Sequence, residues 1–271
     1  MNRTFIFQAL MLVSLFLPLV TSCGSDDDNN DNNDKIIRPK RITKIIEESK
    51  GEIREREFTY DSQGRVILMK TTLNSSKTTN AIYTRTYQYG ETLIIQKEEA
   101  SEKAPDSYYY DRTYTYSLSN GRITKRTETR NNISRVYEYS YDNYGYMNSF
   151  KEVYSLEDEE INHEYQLNWD NGNLISFNYM NYTLTPFTYS DLVWRDGLIF
   201  DMNLTLYPTI DPILYATGFY GKTPKNIPSK YENISYQYSL SGGLVTKVIR
   251  IYEDINNKDL TETSVYTITW E

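Results

Sequence analysis

Chemistry that depends on soft or titratable side chains has little to work with in this sequence. It holds one cysteine, Cys23, and one histidine, His163, in 271 residues. A structural or catalytic zinc site draws three or four ligands mostly from those two residue types, so no metal or other cofactor is expected. A serine nucleophile would have to recruit His163 as its base, and no nucleophile-elbow sequence accompanies it. No phosphate-cradling glycine loop of either common pattern occurs. Carboxylates are abundant, and a glycosidase needs only two at a fixed separation. The densest run, Glu157, Asp158, Glu159 and Glu160, lies between two apparent strands and reads as a solvated loop. An enzyme is therefore not the expected answer, and a carbohydrate hydrolase ranks last among the readings kept.

Arginine is more suggestive. Arg56, Arg85, Arg112 and Arg135 each precede a pair of alternating aromatic residues, and His163 takes the equivalent place before Tyr165, Leu167 and Trp169. Packed in register, these arginines form a ladder. One reading has them stack on tyrosine faces and pair with acidic neighbours; the other makes them an anion or sugar-acid groove. Nucleic acid is excluded as a partner, because the formal net charge is −8 and phosphate recognition needs a basic surface.

The elements that must position these residues are written in tyrosine, which supplies 27 of the 271 residues. Phe58 and Tyr60 alternate with polar residues, as do Tyr87 and Tyr89, Tyr114 and Tyr116, and Tyr137, Tyr139 and Tyr141. A period of two places the named residues on one face of a strand. Glycine turns follow, most clearly in Tyr60-Asp61-Ser62-Gln63-Gly64-Arg65-Val66, and then a more aliphatic return strand. Arg41-Ile42-Thr43-Lys44 recurs as Arg122-Ile123-Thr124-Lys125. A hairpin unit of about 27 residues repeated along the chain gives about 16 antiparallel strands. The fold expected is all-β: an antiparallel meander of hairpin repeats, curved or barrel-like. Its opposite face carries Glu57, Thr86, Gln88, Thr113, Thr115 and Glu138, which argues against a lipid-spanning barrel.

At the N-terminus, Arg3 is followed by an apolar run, Phe5 to Val20, too short to span a membrane and suited to a signal peptide. Val20-Thr21-Ser22-Cys23 resembles the lipobox of bacterial lipoproteins, which implies cleavage after residue 22 and acylation of Cys23. Ser25 to Asp28 resembles the acidic export tag of surface lipoproteins of the Bacteroidetes type. The run to Asp34 holds no apolar residue and is a solvated linker in either case. From Cys23 to Pro39 the tether reaches at most ~50–55 Å. The expected organisation is a signal peptide over 1–22, an acylated and acidic linker over 23–38, and one domain over 39–271. Tyr60 to Val66 is similar to the YD repeat of Rhs-type proteins. With the lipobox, the chain resembles Bacteroidetes lipoproteins of unknown function with a porin-like β fold. That resemblance implies a meander held at the outer membrane and cell surface, and no activity.

The repeat breaks near residues 203–231. Asp211 followed by Pro212 reads as an N-cap with proline at the first helical position, and Gly218 as the stop of one short helix. Such an insertion is functional or closes an open end. Tyr207, Tyr215 and Tyr220 within it are the first candidates for ligand contact, with Tyr87, Tyr114 and Tyr137 second. The leading functional reading is a membrane-anchored module that binds a polysaccharide on aromatic rings. The alternative is a structural or assembly protein, its rings simply core, that docks a protein partner.

Overall fold

The computed structural model describes residues 40–271 apart from residues 79, 102–110, 131–132, 157–158, 180–181, 185–186, 196, 200–209 and 255–260. Cys23, the linker and Tyr207 lie outside the described residues. Alternation of side-chain character produces strands wherever the sequence led one to expect them. They are β1 (Ile42–Ser49), β2 (Glu52–Tyr60), β3 (Val66–Asn74), β4 (Ala81–Tyr89), β5 (Leu93–Ala100) and β6 (Arg112–Ser119). Next come β7 (Arg122–Arg130), β8 (Ile133–Tyr141), β9 (Met147–Leu156), β10 (Glu159–Asp170), β11 (Asn173–Tyr179) and β12 (Tyr182–Leu184). After these follow β13 (Thr188–Val193), a helix α1 (Pro212–Ala216), β14 (Asn226–Tyr231), β15 (Ile234–Ser241), β16 (Leu244–Glu253) and β17 (Thr261–Trp270).

Every pairing is antiparallel and between chain neighbours, except that β17 returns to pair with β1. The ladder therefore runs from β13 through β17, across β1, and on to β12. Strand parity makes β12 and β13 run in the same direction, β12 pairing with β11 and β13 with β14. Together they fill one interrupted position, so the meander is a nearly closed barrel of sixteen strand positions. Side chains tie the interruption: Tyr189 donates its hydroxyl to the Leu174 carbonyl, and Asn173 and Asn226 bond each other.

At one end of the barrel the turns are short and built alike. Asp61 Oδ1 accepts from the Gln63 and Arg65 amides, and Asp142 Oδ1 accepts from those of Tyr144 and Tyr146, each at 2.9 Å. Gly64 and Gly145 close these turns at φ of +83° and +93°, where a Cβ would stand 2.6 Å from Arg41 Nη2 or 2.7 Å from Arg122 Nη2. Those arginines lie over the rings of Tyr60 and Tyr141, and Arg65 lies over Tyr89 at 4.5 Å. Five of the rings that end aromatic strands bond back to a backbone carbonyl of the preceding hairpin. Tyr60 donates to the Ile42 carbonyl, Tyr89 to Val66, Tyr141 to Ile123, and the Trp169 and Trp270 indoles to Met147 and Val245.

The described part of the insertion, from residue 210 onward, packs in the interior at that same end. Asp211 caps α1, its Oδ1 accepting from the Ile213 and Leu214 amides at 2.9 Å, and Gly218 takes φ of +82° just past the helix. Ile213, Leu214 and Tyr220 are fully buried. The segment after the helix is stitched to the turns through Ile123 N to Phe219 O, Lys222 N to Gly145 O and Lys225 N to Gly172 O. The burial of these residues fits the end-closing role of the two open to the insertion. No helix among the described residues is long and apolar enough to cross a membrane.

Candidate functional site

Two layers of inward-facing residues next to the plug are apolar, among them Ile42, Ile94, Ile123, Met147, Phe150, Leu174 and Phe177. One step further from the turns of that end the same strand faces turn polar. Arg56 meets Glu47 at 2.7 Å, Arg85 meets Glu98 at 2.6 Å and Asp211 at 3.2 Å, and Arg112 meets Glu128 at 3.5 Å. Arg135 Nε lies 3.4 Å from Glu152, whose other oxygen is 3.6 Å from His163 Nδ1. The four arginines expected to form a ladder thus each take an acidic partner, and His163 holds the corresponding place in β10. The stagger of the barrel mixes the layers: Tyr87, Gln96, Tyr114, Glu128, Arg135 and Tyr154 stand opposite one another in a single row across β4 to β9.

Burial sorts this belt into a frame and a reachable part. Arg126 is buried between the rings of Tyr114 and Tyr137, 4.5 and 5.0 Å from their centroids. Glu98 and Asp211 are buried too, and Tyr116 donates to the buried Gln96. Desolvation on burial raises the Tyr87, Tyr116 and Tyr220 hydroxyls well above their ordinary range, so they remain neutral donors. By contrast the Arg135 side chain keeps 40% of its surface exposed, and His163 keeps 21%.

A polar and aromatic cluster forms around these two. Glu152 accepts from the Tyr137 hydroxyl at 3.1 Å and faces both Arg135 and His163. Arg135 stacks over Tyr154 at 5.0 Å, and the His163 ring stands edge-on to Tyr154 and Tyr179. Tyr179 in turn stacks on Tyr165 at 4.7 Å. Tyr154, Tyr165 and Tyr179 are all half-buried. A guanidinium, a carboxylate and an imidazole beside partly open ring faces can hydrogen-bond hydroxyls while an apolar face stacks; the arrangement offers no activated nucleophile.

The rings singled out from sequence sit elsewhere. Tyr215 and Tyr220 are buried in the plug, and Tyr87, Tyr114 and Tyr137 in the barrel core. Tyr220 meets the Tyr139 ring edge-on at 5.1 Å, and Tyr215 meets Trp194. None of the five presents a ring face to solvent. Of the acidic run at 157–160, only the Glu160 side chain is described, and it is exposed. Glu152, Tyr154 and Tyr179 were not singled out from sequence; their strand phase, shared with Phe150 and Phe177, was the available signal.

A family model described as a domain of unknown function (DUF4595) with porin-like fold matches residues 58–239. Among curated proteins none matches the chain. The crystal structure of a porin-like protein from Bacteroides uniformis superposes with a TM-score of 0.63 at 17% identity, covering 84% of this chain and 98% of the other. A porin-like protein from Bacteroides vulgatus gives a TM-score of 0.34 at 13% identity over 86% and 99% of the two chains.

Proposed function

The chain belongs to this porin-like-fold family of unknown function, and from that premise we propose a surface lipoprotein, anchored through Cys23, whose barrel binds a glycan at the Arg135, Glu152 and His163 cluster. One observation carries the binding half: this is where partly exposed rings, Tyr154 and Tyr179, stand within reach of charged hydrogen-bonding groups. Sugars combine a hydroxylated rim with an apolar ring face, and sites for them need convergent polar groups on a rigid frame. The buried tyrosines, Tyr87, Tyr114, Tyr137, Tyr215 and Tyr220, enter this reading as that frame.

The anchoring half rests on the sequence around Cys23 and on the solvated linker behind it, and places the protein at the outer membrane facing the surroundings. The turns at Asp61 and Asp142, alike in their hydrogen bonds, support the likeness to YD repeats. A second reading, a structural or assembly protein for a protein partner, draws support from the burial of the five rings first chosen.

Two measurements test the proposal. Cys23→Ala should shift the protein from membrane to soluble or unprocessed fractions; unchanged membrane retention would remove the anchor. On a polysaccharide array, a hit for the parent protein should be lost in Arg135→Ala and Tyr179→Ala variants that keep the parent's melting temperature. An array without hits would leave the assembly reading in place.

A further inference from the structure

Several of the described exposed apolar side chains gather at the plugged end of the barrel. Among the described residues, the exposed large apolar side chains Ile67, Leu93, Tyr144, Ile175, Val193 and Leu240 lie at or beside the plugged end. Ile67 and Leu93 open β3 and β5, Ile175 is near the start of β11, and Val193 and Leu240 close β13 and β15. Tyr144 is at the tip of the turn between β8 and β9 and is 76% exposed; Val193 is 61% exposed. Ile53, near the start of β2, is a described exposed apolar residue of the opposite end. Single exposed apolar residues are ordinary. Six such residues on β3, β5, β11, β13, β15 and the β8–β9 turn together edge this end with apolar surface.

The same end holds an apolar cleft of about 220 Å3, lined by Leu192, Leu198, Ile227, Leu244, Val245 and Trp270 and continued by Val193 and Leu240. Its charged lining groups are Asp191 and Arg195. It is larger than the ~150 Å3 apolar cavity that admits benzene. The chain also enters the barrel here. Arg41 and Glu271 exchange backbone hydrogen bonds, and Ile42 stands opposite Trp270, which lines the cleft. The segment from Cys23 therefore joins the domain at its plugged end.

The geometry points to a lipid surface as the occupant: the plugged end rests on the membrane, its apolar girdle dips into the interface, and an acyl segment enters the cleft. The far end with its polar cluster then faces outward. Shallow burial of apolar side chains at the headgroup boundary adds to a covalent chain as a second anchoring signal. Basic and acidic residues mix on this rim, with Arg65, Arg122 and Lys225 beside Asp61, Asp142 and Asp170, so contact depends on apolar insertion and not on anionic lipid.

This inference builds on the anchor reading, and the test separates the two by supplying the tether chemically. Mature chain, residues 23–271, is coupled through its sole thiol, Cys23, to maleimide-headgroup lipid in phosphatidylcholine vesicles. Backbone hydrogen exchange is compared with that of the same chain capped at Cys23 and free in solution. Exchange should slow about tenfold or more at residues 142–146, 190–195 and 238–244, and stay unchanged at 50–53. A Val193→Asp, Leu240→Asp double variant, both sites being exposed, should lose the slowing while remaining coupled. Equal exchange on and off the vesicle, or slowing at 50–53 instead, overturns the lipid-facing assignment whether or not cells acylate Cys23.

Discussion

Asp211 and Tyr87 meet inside the barrel, 124 positions apart in the chain, with the carboxylate 2.9 Å from the hydroxyl. That carboxylate does three things at once. Oδ1 caps α1, while Oδ2 receives both Tyr87 and Arg85. The plug is thus fastened to the wall by the residue that starts its helix.

Replacing Asp211 by alanine removes a cap worth ~1 kcal/mol and a hydrogen bond to a charged group worth ~1.5–3 kcal/mol. Guanidinium unfolding should show a loss of about 2–4 kcal/mol. Tyr87→Phe should lose less, and the double variant should show a coupling of about 0.5–3 kcal/mol. Additive losses would mean that the two groups do not act together.

The ring-to-carbonyl bonds of the turns should behave as independent units. Tyr60→Phe and Tyr141→Phe each strip the donor from a backbone carbonyl, and each should cost about 0.5–1.5 kcal/mol. Their turns are distinct, so the double variant should match the sum within ~0.3–0.5 kcal/mol.

The buried rings of the plug should be costly to truncate. Tyr215→Ala and Tyr220→Ala each leave a large void, and a loss of about 3–5 kcal/mol apiece is expected by analogy with other aromatic truncations. A change near zero in the unfolding midpoint would show that these rings are not core.

Alkali should unfold the barrel through its tyrosines. Burial pushes the Tyr60 hydroxyl up to about 12, against a smaller opposing pull from Arg41, and burial likewise pushes Tyr139 up to about 12. A raised hydroxyl contributes stability that is whole below its unfolded value of 10.0 and is lost as pH rises through the folded value. Ultraviolet titration should therefore show a late fraction of the tyrosinate signal appearing as pH rises from 10 to 12, in step with loss of β circular dichroism. Complete ionisation of all the tyrosines near pH 10 with the fold intact would contradict the burial of these hydroxyls.

Local features were legible in the sequence. The Asp211-Pro212 start, the Gly218 stop and the two-residue aromatic period all encode backbone geometry within a few residues, and each appears where it was read. What depended on closure was not legible. A period of two says that Tyr87 and Tyr89 share a face, but not that this face turns inward, which shows only in the burial of Tyr87 once the sheet has curved round on itself. The destinations of the ring hydroxyls lie one hairpin back, as with Tyr60 and Ile42, so no local pattern displays them. The cluster at Glu152 was hidden for the same reason. Arg135, Glu152 and His163 come from three strands, and nothing in any one strand marks the carboxylate that joins them.

Since the first strand of the ring is completed by the last, the barrel has no finished intermediate. Until residues 261–270 arrive, β1 and β16 each present a row of unpaired amides and carbonyls. A chain stopped short of β17 would display two bare strand edges, the feature most prone to intermolecular pairing. The strand that bridges β1 and β16 thus governs how much bare edge the sheet shows: with it in place both are covered, and without it neither is.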